Sequence, residues 1–207
     1  VFDKRSTGQH ALVTPEAMIE ALAYLISNPV EAGAVRYAND WPGAHTLPRD
    51  IGQRVLNIRR PEHYFDPANT NWPDVVQLRI EMPAALTIGY GMELAREQIA
   101  VRVKEREHRA WQESKRTGIA FLGERRVVRQ AHTKRAGSEE AFGSLNPQFA
   151  AAGHVGAAAD MARQLRAFNA QYDQALAAWS AGRRDVYFPV GTWWMRVCHG
   201  ARCGPAP

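Results

Sequence analysis

The 207 residues include 45% hydrophobic and 23% charged side chains, enough for one or two globular domains with a core, so full disorder is excluded. No stretch reaches the roughly 18 consecutive apolar residues of a membrane span. The start, VFDKRSTGQH, lacks the basic-then-apolar order of a signal peptide. A soluble, cytoplasmic protein without membrane contact is expected. With only Cys198 and Cys203 there is no disulfide framework, and two free thiols are expected. The chain opens at Val1, which reads as the start of a fragment.

The net charge of +5 is concentrated in one segment. Between Val101 and Arg135 stand eleven bases: Arg102, Lys104, Arg106, Arg109, Lys115, Arg116, Arg125, Arg126, Arg129, Lys134 and Arg135. Four acids oppose them there, Glu105, Glu107, Glu113 and Glu124, giving +7 locally and −2 for the remainder. A cluster of this kind can neutralise phosphates without reading base sequence, and a solvated helix face with Glu and Arg interleaved is the competing reading.

In chain order, Thr14-Pro15-Glu16 predicts a capped helix start, with a helix running to about Ser27. It should stop at Asn28-Pro29, because the residue before proline disfavours the α region. Val30–Val35 is expected to add one short turn, Asp40-Trp41-Pro42-Gly43 is a turn with Trp41 packed inward, and Pro48–Asn71 reads as irregular. Val75–Ile80 has the β-branched content of a strand. Met92, Ala95, Ile99 and Val103 are spaced for a long amphipathic helix ending at Gly118. A third helix is expected from about Ala157 to Ala181, with a stripe of Met161, Leu165, Phe168, Tyr172, Leu176 and Trp179, followed by a short strand from Val186 to Val190 and a final turn capped by Thr192.

On a helical wheel centred on Leu22, the residues Met18, Ile19, Leu25 and Ile26 fall within about 60° of it, while Glu20, Tyr24 and Asn28 fall at about 160°, 200° and 240°. Tyr24 therefore presents its hydroxyl beside a carboxylate and a carboxamide, away from the apolar stripe. A tyrosine on the second face of a helix sandwiched between layers explains the same pattern.

The run Tyr24-Leu25-Ile26-Ser27-Asn28-Pro29-Val30-Glu31-Ala32-Gly33-Ala34-Val35, followed by Asp40-Trp41-Pro42, resembles the Y-x-x-x-N-P-V-x-A-G-L-V…D-W-P signature of the REP-associated tyrosine transposases, relatives of the insertion-sequence-200-like enzymes in the single-tyrosine HUH class. The resemblance covers about twenty residues and departs at Ala34, where leucine is usual. It implies metal-assisted phosphoryl transfer on single-stranded or hairpin DNA, with Tyr24 as nucleophile and Asn28 as one ligand of Mg²⁺ or Mn²⁺. A phenol needs a nearby cation or base for that task, its ordinary pKa being about 10. The fold implied is α+β: the C-terminal helices of a ferredoxin-like HUH catalytic domain, followed by a mainly α-helical extension. The divisions expected are residues 1–47 for the catalytic part, 48–90 for a connector, and 91–207 for a basic, helical accessory region. DNA and a second copy of the chain are the expected partners.

The family's other two ligands come from a His-hydrophobic-His strand before the tyrosine helix. Here only His10 precedes Tyr24, and no two of the seven histidines stand two apart, so the chain by itself should not cleave DNA. Cys198, His199 and Cys203 fit no familiar zinc spacing. Adjacent Glu139 and Glu140 read as solvated, and Tyr90, between Gly89 and Gly91, as structural. Two rivals remain: a non-catalytic nucleic-acid-binding module, and a helical interaction protein using the Met161–Trp179 stripe.

Overall fold

A computed structural model of the chain describes residues 10–61, 63, 66, 68, 69, 71–131, 133, 134 and 148–204, which fall into two units, Val1–Gln148 and Phe149–Pro207. Helix and strand both occur, an α+β class. Arg135, Glu139 and Glu140 lie outside the described residues.

The first unit holds strand β1 (Ala11–Leu12) and helix α1 (Pro15–Glu31), then single 3-10 turns at Ala38–Asp40 and Pro48–Asp50. Strands β2 (Val55–Arg59) and β3 (Val75–Arg79) and helices α2 (Ala84–Tyr90), α3 (Met92–Thr117) and α4 (Glu124–Val128) complete it. Thr14 caps α1 as the sequence predicts, its hydroxyl oxygen accepting the Ala17 N–H at 3.2 Å, with Pro15 at the first helical position. The expected stop at Asn28-Pro29 is corrected: α1 runs through Pro29 to Glu31. Proline deprives only the Leu25 carbonyl of its intrahelical donor, and it does so on the exposed side of the helix, where Leu25 is 66% exposed. Val30, fully buried, holds the last turn in the core and outweighs the local preference of Asn28.

Two clusters of apolar side chains make the core of this unit. Ile19 and Ala23 of α1 meet Ala95, Ile99 and Val103 of α3, with Ile51, Met82 and Leu86 closing the end. Val30, Val35, Ala38 and Leu47 form the other, against which Trp41, Trp111 and Phe121 pack in part. The buried side of α1 is therefore turned from the expected one. It centres on Ala23 because that small side chain lets α3 approach closely, whereas Leu22, Leu25 and Ile26 line an open groove of about 450 Å³ with Trp41, Leu56 and Leu78. Trp41 is held from beneath by Gly43, where a Cβ would come within 2.5 Å of the indole nitrogen.

The expectation that Pro48–Asn71 is irregular is corrected at Val55–Arg59, which is a strand. Val55–Arg59 pairs antiparallel with β3, from Val55 opposite Arg79 to Arg59 opposite Val75. Arg60 closes the ladder through its N–H to the Asp74 carbonyl at 2.8 Å and its guanidinium to the Asp74 carboxylate at 2.7 Å. The strand escaped notice because its outward faces stay exposed, leaving weak alternation. Gly118, in the left-handed region at φ 70°, ends α3 as predicted.

Tyr90, at the end of α2, donates to the Glu16 carboxylate at 2.7 Å and so fastens α2 to the start of α1. This hydrogen bond, with burial and the Glu16 charge behind it, raises the Tyr90 pKa above the ordinary phenol value. Because the folded value is the higher one, the contribution is full below the ordinary phenol pKa and disappears as pH rises through the raised value. Ultraviolet titration of tyrosinate should show a late-ionising tyrosine that Glu16→Gln removes; an unchanged curve would deny the link.

The second unit has strand β4 (Phe149–Ala150), helix α5 (Val155–Ser180), strand β5 (Tyr187–Phe188), helix α6 (Trp193–His199) and strand β6 (Arg202–Cys203). β5 and β6 pair parallel, and Ala175, Phe188, Met195 and Ala201 form the core, with Tyr172 and Trp179 packed against it. Of the predicted stripe, Leu176 is exposed and the core contacts come from Tyr172 and Trp179. Thr192 does not cap α6 with its side chain, since its hydroxyl donates to the Pro189 carbonyl at 2.6 Å. Both cysteines are free thiols. Among the described residues, no helix is long and apolar enough to cross a membrane.

Candidate nucleophile and nucleic-acid interface

Packing of α1 on α3 sets the surroundings of Tyr24. With Ala23 and Ser27 buried against α3, Tyr24 lies at the rim of the helix pair and is 47% exposed. The Arg106 guanidinium of α3 sits over its ring, 5.5 Å from the centroid. The Tyr24 hydroxyl makes no hydrogen bond among the described residues. Asn28, one turn on, is exposed on the same edge, as the wheel placed it.

Arg106 is held from two sides. Its Nη1 meets Glu31 Oε1 at 2.9 Å, and its Nη2 meets Glu20 Oε2 at 3.3 Å. Glu31 is itself steadied by the buried Ser27, whose hydroxyl donates to Oε1 at 2.9 Å. Glu20 reaches a second guanidinium through its other oxygen, Oε1 to Arg102 Nε at 3.0 Å, and Arg102 also pairs with Glu105 at 2.7 Å. Burial pulls the Arg106 pKa down, but its hydrogen bonds and attraction to Glu31 and Glu20 outweigh that and leave it raised. One donor is unmatched: Nε of Arg106 is buried with no hydrogen-bond partner among the described residues. Glu31 and Ser27 have no role in the site as read from the sequence, although their spacing of four, and that of Tyr24 to Glu31 at seven, put all three on one helix face.

The basic segment divides by engagement. Arg102 and Arg106 serve the α1–α3 junction, and Arg116 pairs with Glu113 at 2.6 Å, a contact that lowers the Glu113 pKa. Lys104, Arg109, Lys115, Arg125, Arg126, Arg129 and Lys134 are exposed and form no ion pair among the described residues. Beside Lys104 and Arg109, an open groove of about 860 Å³ is lined by Tyr37, His108 and Trp111. Tyr37 and Trp111 meet edge to face at 5.2 Å, and the Arg36 guanidinium lies 5.8 Å from each ring. Trp111 is anchored by its indole N–H to the Arg36 carbonyl at 2.7 Å. Aromatics interleaved with cations can both stack bases and attract a phosphate backbone.

Asn28 offers one neutral oxygen to the divalent ion that the resemblance implies, and the acids next to Tyr24 are committed to arginines. Among the described residues no group of three or more His, Cys, Asp or Glu could hold a metal ion. This donor set by itself does not fit Mg²⁺ or Mn²⁺. No family model, curated protein or solved structure matches the chain.

Proposed function

We propose that this chain carries the C-terminal helices of the ferredoxin-like catalytic domain of a single-tyrosine HUH transposase, followed by a basic, mainly helical extension, with Tyr24 as the nucleophile and the α3–α4 surface holding single-stranded DNA. The observation that carries this reading is the half-exposed Tyr24 with the Arg106 guanidinium against its ring and Asn28 exposed on the same helix edge. In the reaction, the Tyr24 oxygen bonds to phosphorus as the bond from phosphorus to the 3′ oxygen breaks. The phenol proton is lost to solvent or a base, and the leaving oxygen takes one up as a 3′-hydroxyl. One phosphodiester replaces another, so the 3′-hydroxyl can reverse the step. Arg106 offers positive charge where negative charge develops. The ion the resemblance calls for would need ligands besides Asn28.

The test is made on this chain extended by any in-frame sequence upstream of Val1, incubated with single-stranded hairpin DNA and Mg²⁺ or Mn²⁺. A denaturant-resistant adduct whose linked peptide contains Tyr24 is expected. An upstream frame without a His-hydrophobic-His strand, or an adduct mapped elsewhere, would overturn the reading.

A second reading, a nucleic-acid-binding module without catalysis, is favoured by the groove of Tyr37, His108 and Trp111 beside Lys104 and Arg109. It predicts oligonucleotide binding that falls steeply with salt and forms no covalent adduct.

A further inference from the structure

We propose that Arg102 and Arg106 form a receptor for a DNA phosphodiester beside Tyr24, and that Glu20 fills this receptor until a strand displaces it. The proposal deepens the reading of Tyr24 as a strand-cleaving nucleophile and rests on it.

The geometry is that of an internal stand-in. The two oxygens of Glu20 bridge two guanidinium groups, Oε1 to Arg102 at 3.0 Å and Oε2 to Arg106 at 3.3 Å. The two non-bridging oxygens of a phosphodiester can bridge them in the same way, because guanidinium forks match carboxylate and phosphate alike. The two carboxylates on Arg106 are not equivalent. Glu31 accepts from the buried Ser27 as well as from Arg106, which anchors it. Among the described residues Glu20 is held by the two arginines alone, and it is the more exposed of the two acids. Release of Glu20 therefore leaves Arg106 fixed by Glu31 over the Tyr24 ring while freeing its Nη2 and the Nε of Arg102. The buried Arg106 Nε has no acceptor among the described residues, so the carboxylates do not satisfy the whole guanidinium. The Arg102–Glu20 pair is open to solvent, and such pairs contribute little. A strand drawn to α3 by Lys104 and Arg109 can therefore take Arg102 from Glu20 first and then compete for the part-buried Arg106.

Binding of a fluorescein-labelled single-stranded oligodeoxynucleotide to this chain, followed by anisotropy at low salt, tests the proposal. Glu20→Gln should bind about fivefold more tightly, the scale of one exposed and one part-buried ion pair no longer in competition. Glu20→Asp, which keeps the charge but withdraws the oxygens by a methylene, should shift affinity in the same direction by less. Glu97→Gln removes an equal charge from an exposed site on α3 that forms no ion pair among the described residues, and should gain much less. The gain from Glu20→Gln should shrink in an Arg102→Gln background, where only the Arg106 half of the receptor is left for Glu20 to fill. Equal gains for Glu20→Gln and Glu97→Gln, a gain undiminished by Arg102→Gln, or no oligonucleotide binding by any of the variants would overturn the receptor. Its failure is separable from that of the proposed activity: a Tyr24 adduct without the Glu20 effect removes the receptor alone. The Glu20 effect without an adduct removes the nucleophile and leaves the phosphate site.

Discussion

Tyr24→Phe is expected to abolish the covalent protein–DNA adduct while leaving the fold and oligonucleotide affinity nearly unchanged. The substitution removes one oxygen, and that hydroxyl makes no hydrogen bond among the described residues. The ring keeps its place under Arg106, because phenylalanine presents the same face to a cation. Stability should therefore move by no more than about 0.5 kcal/mol, the usual range for a surface change. A thermal melt and an anisotropy titration control for both. An adduct that persists in the variant would remove Tyr24 as nucleophile. A large drop in melting temperature would contradict the half-exposed, unbonded phenol described above.

The largest effect on stability is expected at Phe188. It is fully buried between Tyr172, at 5.8 Å, and Trp179, at 6.0 Å, and it also belongs to the strand that pairs with β6. Phe188→Ala should cost about 3–5 kcal/mol through lost transfer energy and the cavity left behind. A unit with so few buried side chains has little more than that in reserve. Amide exchange is the measurement: protection across the last turns of α5 and in α6 should collapse in Phe188→Ala and be largely kept in Phe188→Leu, which fills most of the volume. Unchanged protection in the alanine variant would mean that Phe188 is not the keystone of this unit.

Much of the local structure was legible in the residues. Thr14-Pro15 marks the start of α1, Gly118 the end of α3, and the long periodicity of α5 needs only a count of three and four. These signals are local, fixed by capping chemistry and helical geometry, and they survive in any context. The helix through Pro29 was not legible, because the burial of Val30 comes from residues far along the chain. β2 was hidden for a related reason, its pairing partner β3 lying well along the chain.

The candidate site divides along the same line. The sequence by itself put Glu20, Tyr24 and Asn28 on one edge of a helix and set the bases of α3 in order, since both follow from 100° per residue. Which of those bases are free for a strand, and which are spent on carboxylates, was decided only when Ala23 let α3 come close enough for Arg102 and Arg106 to reach Glu20 and Glu31. Ion pairing falls off over a few ångströms, and distances between residues 75 or more positions apart are set by packing, not by order along the chain.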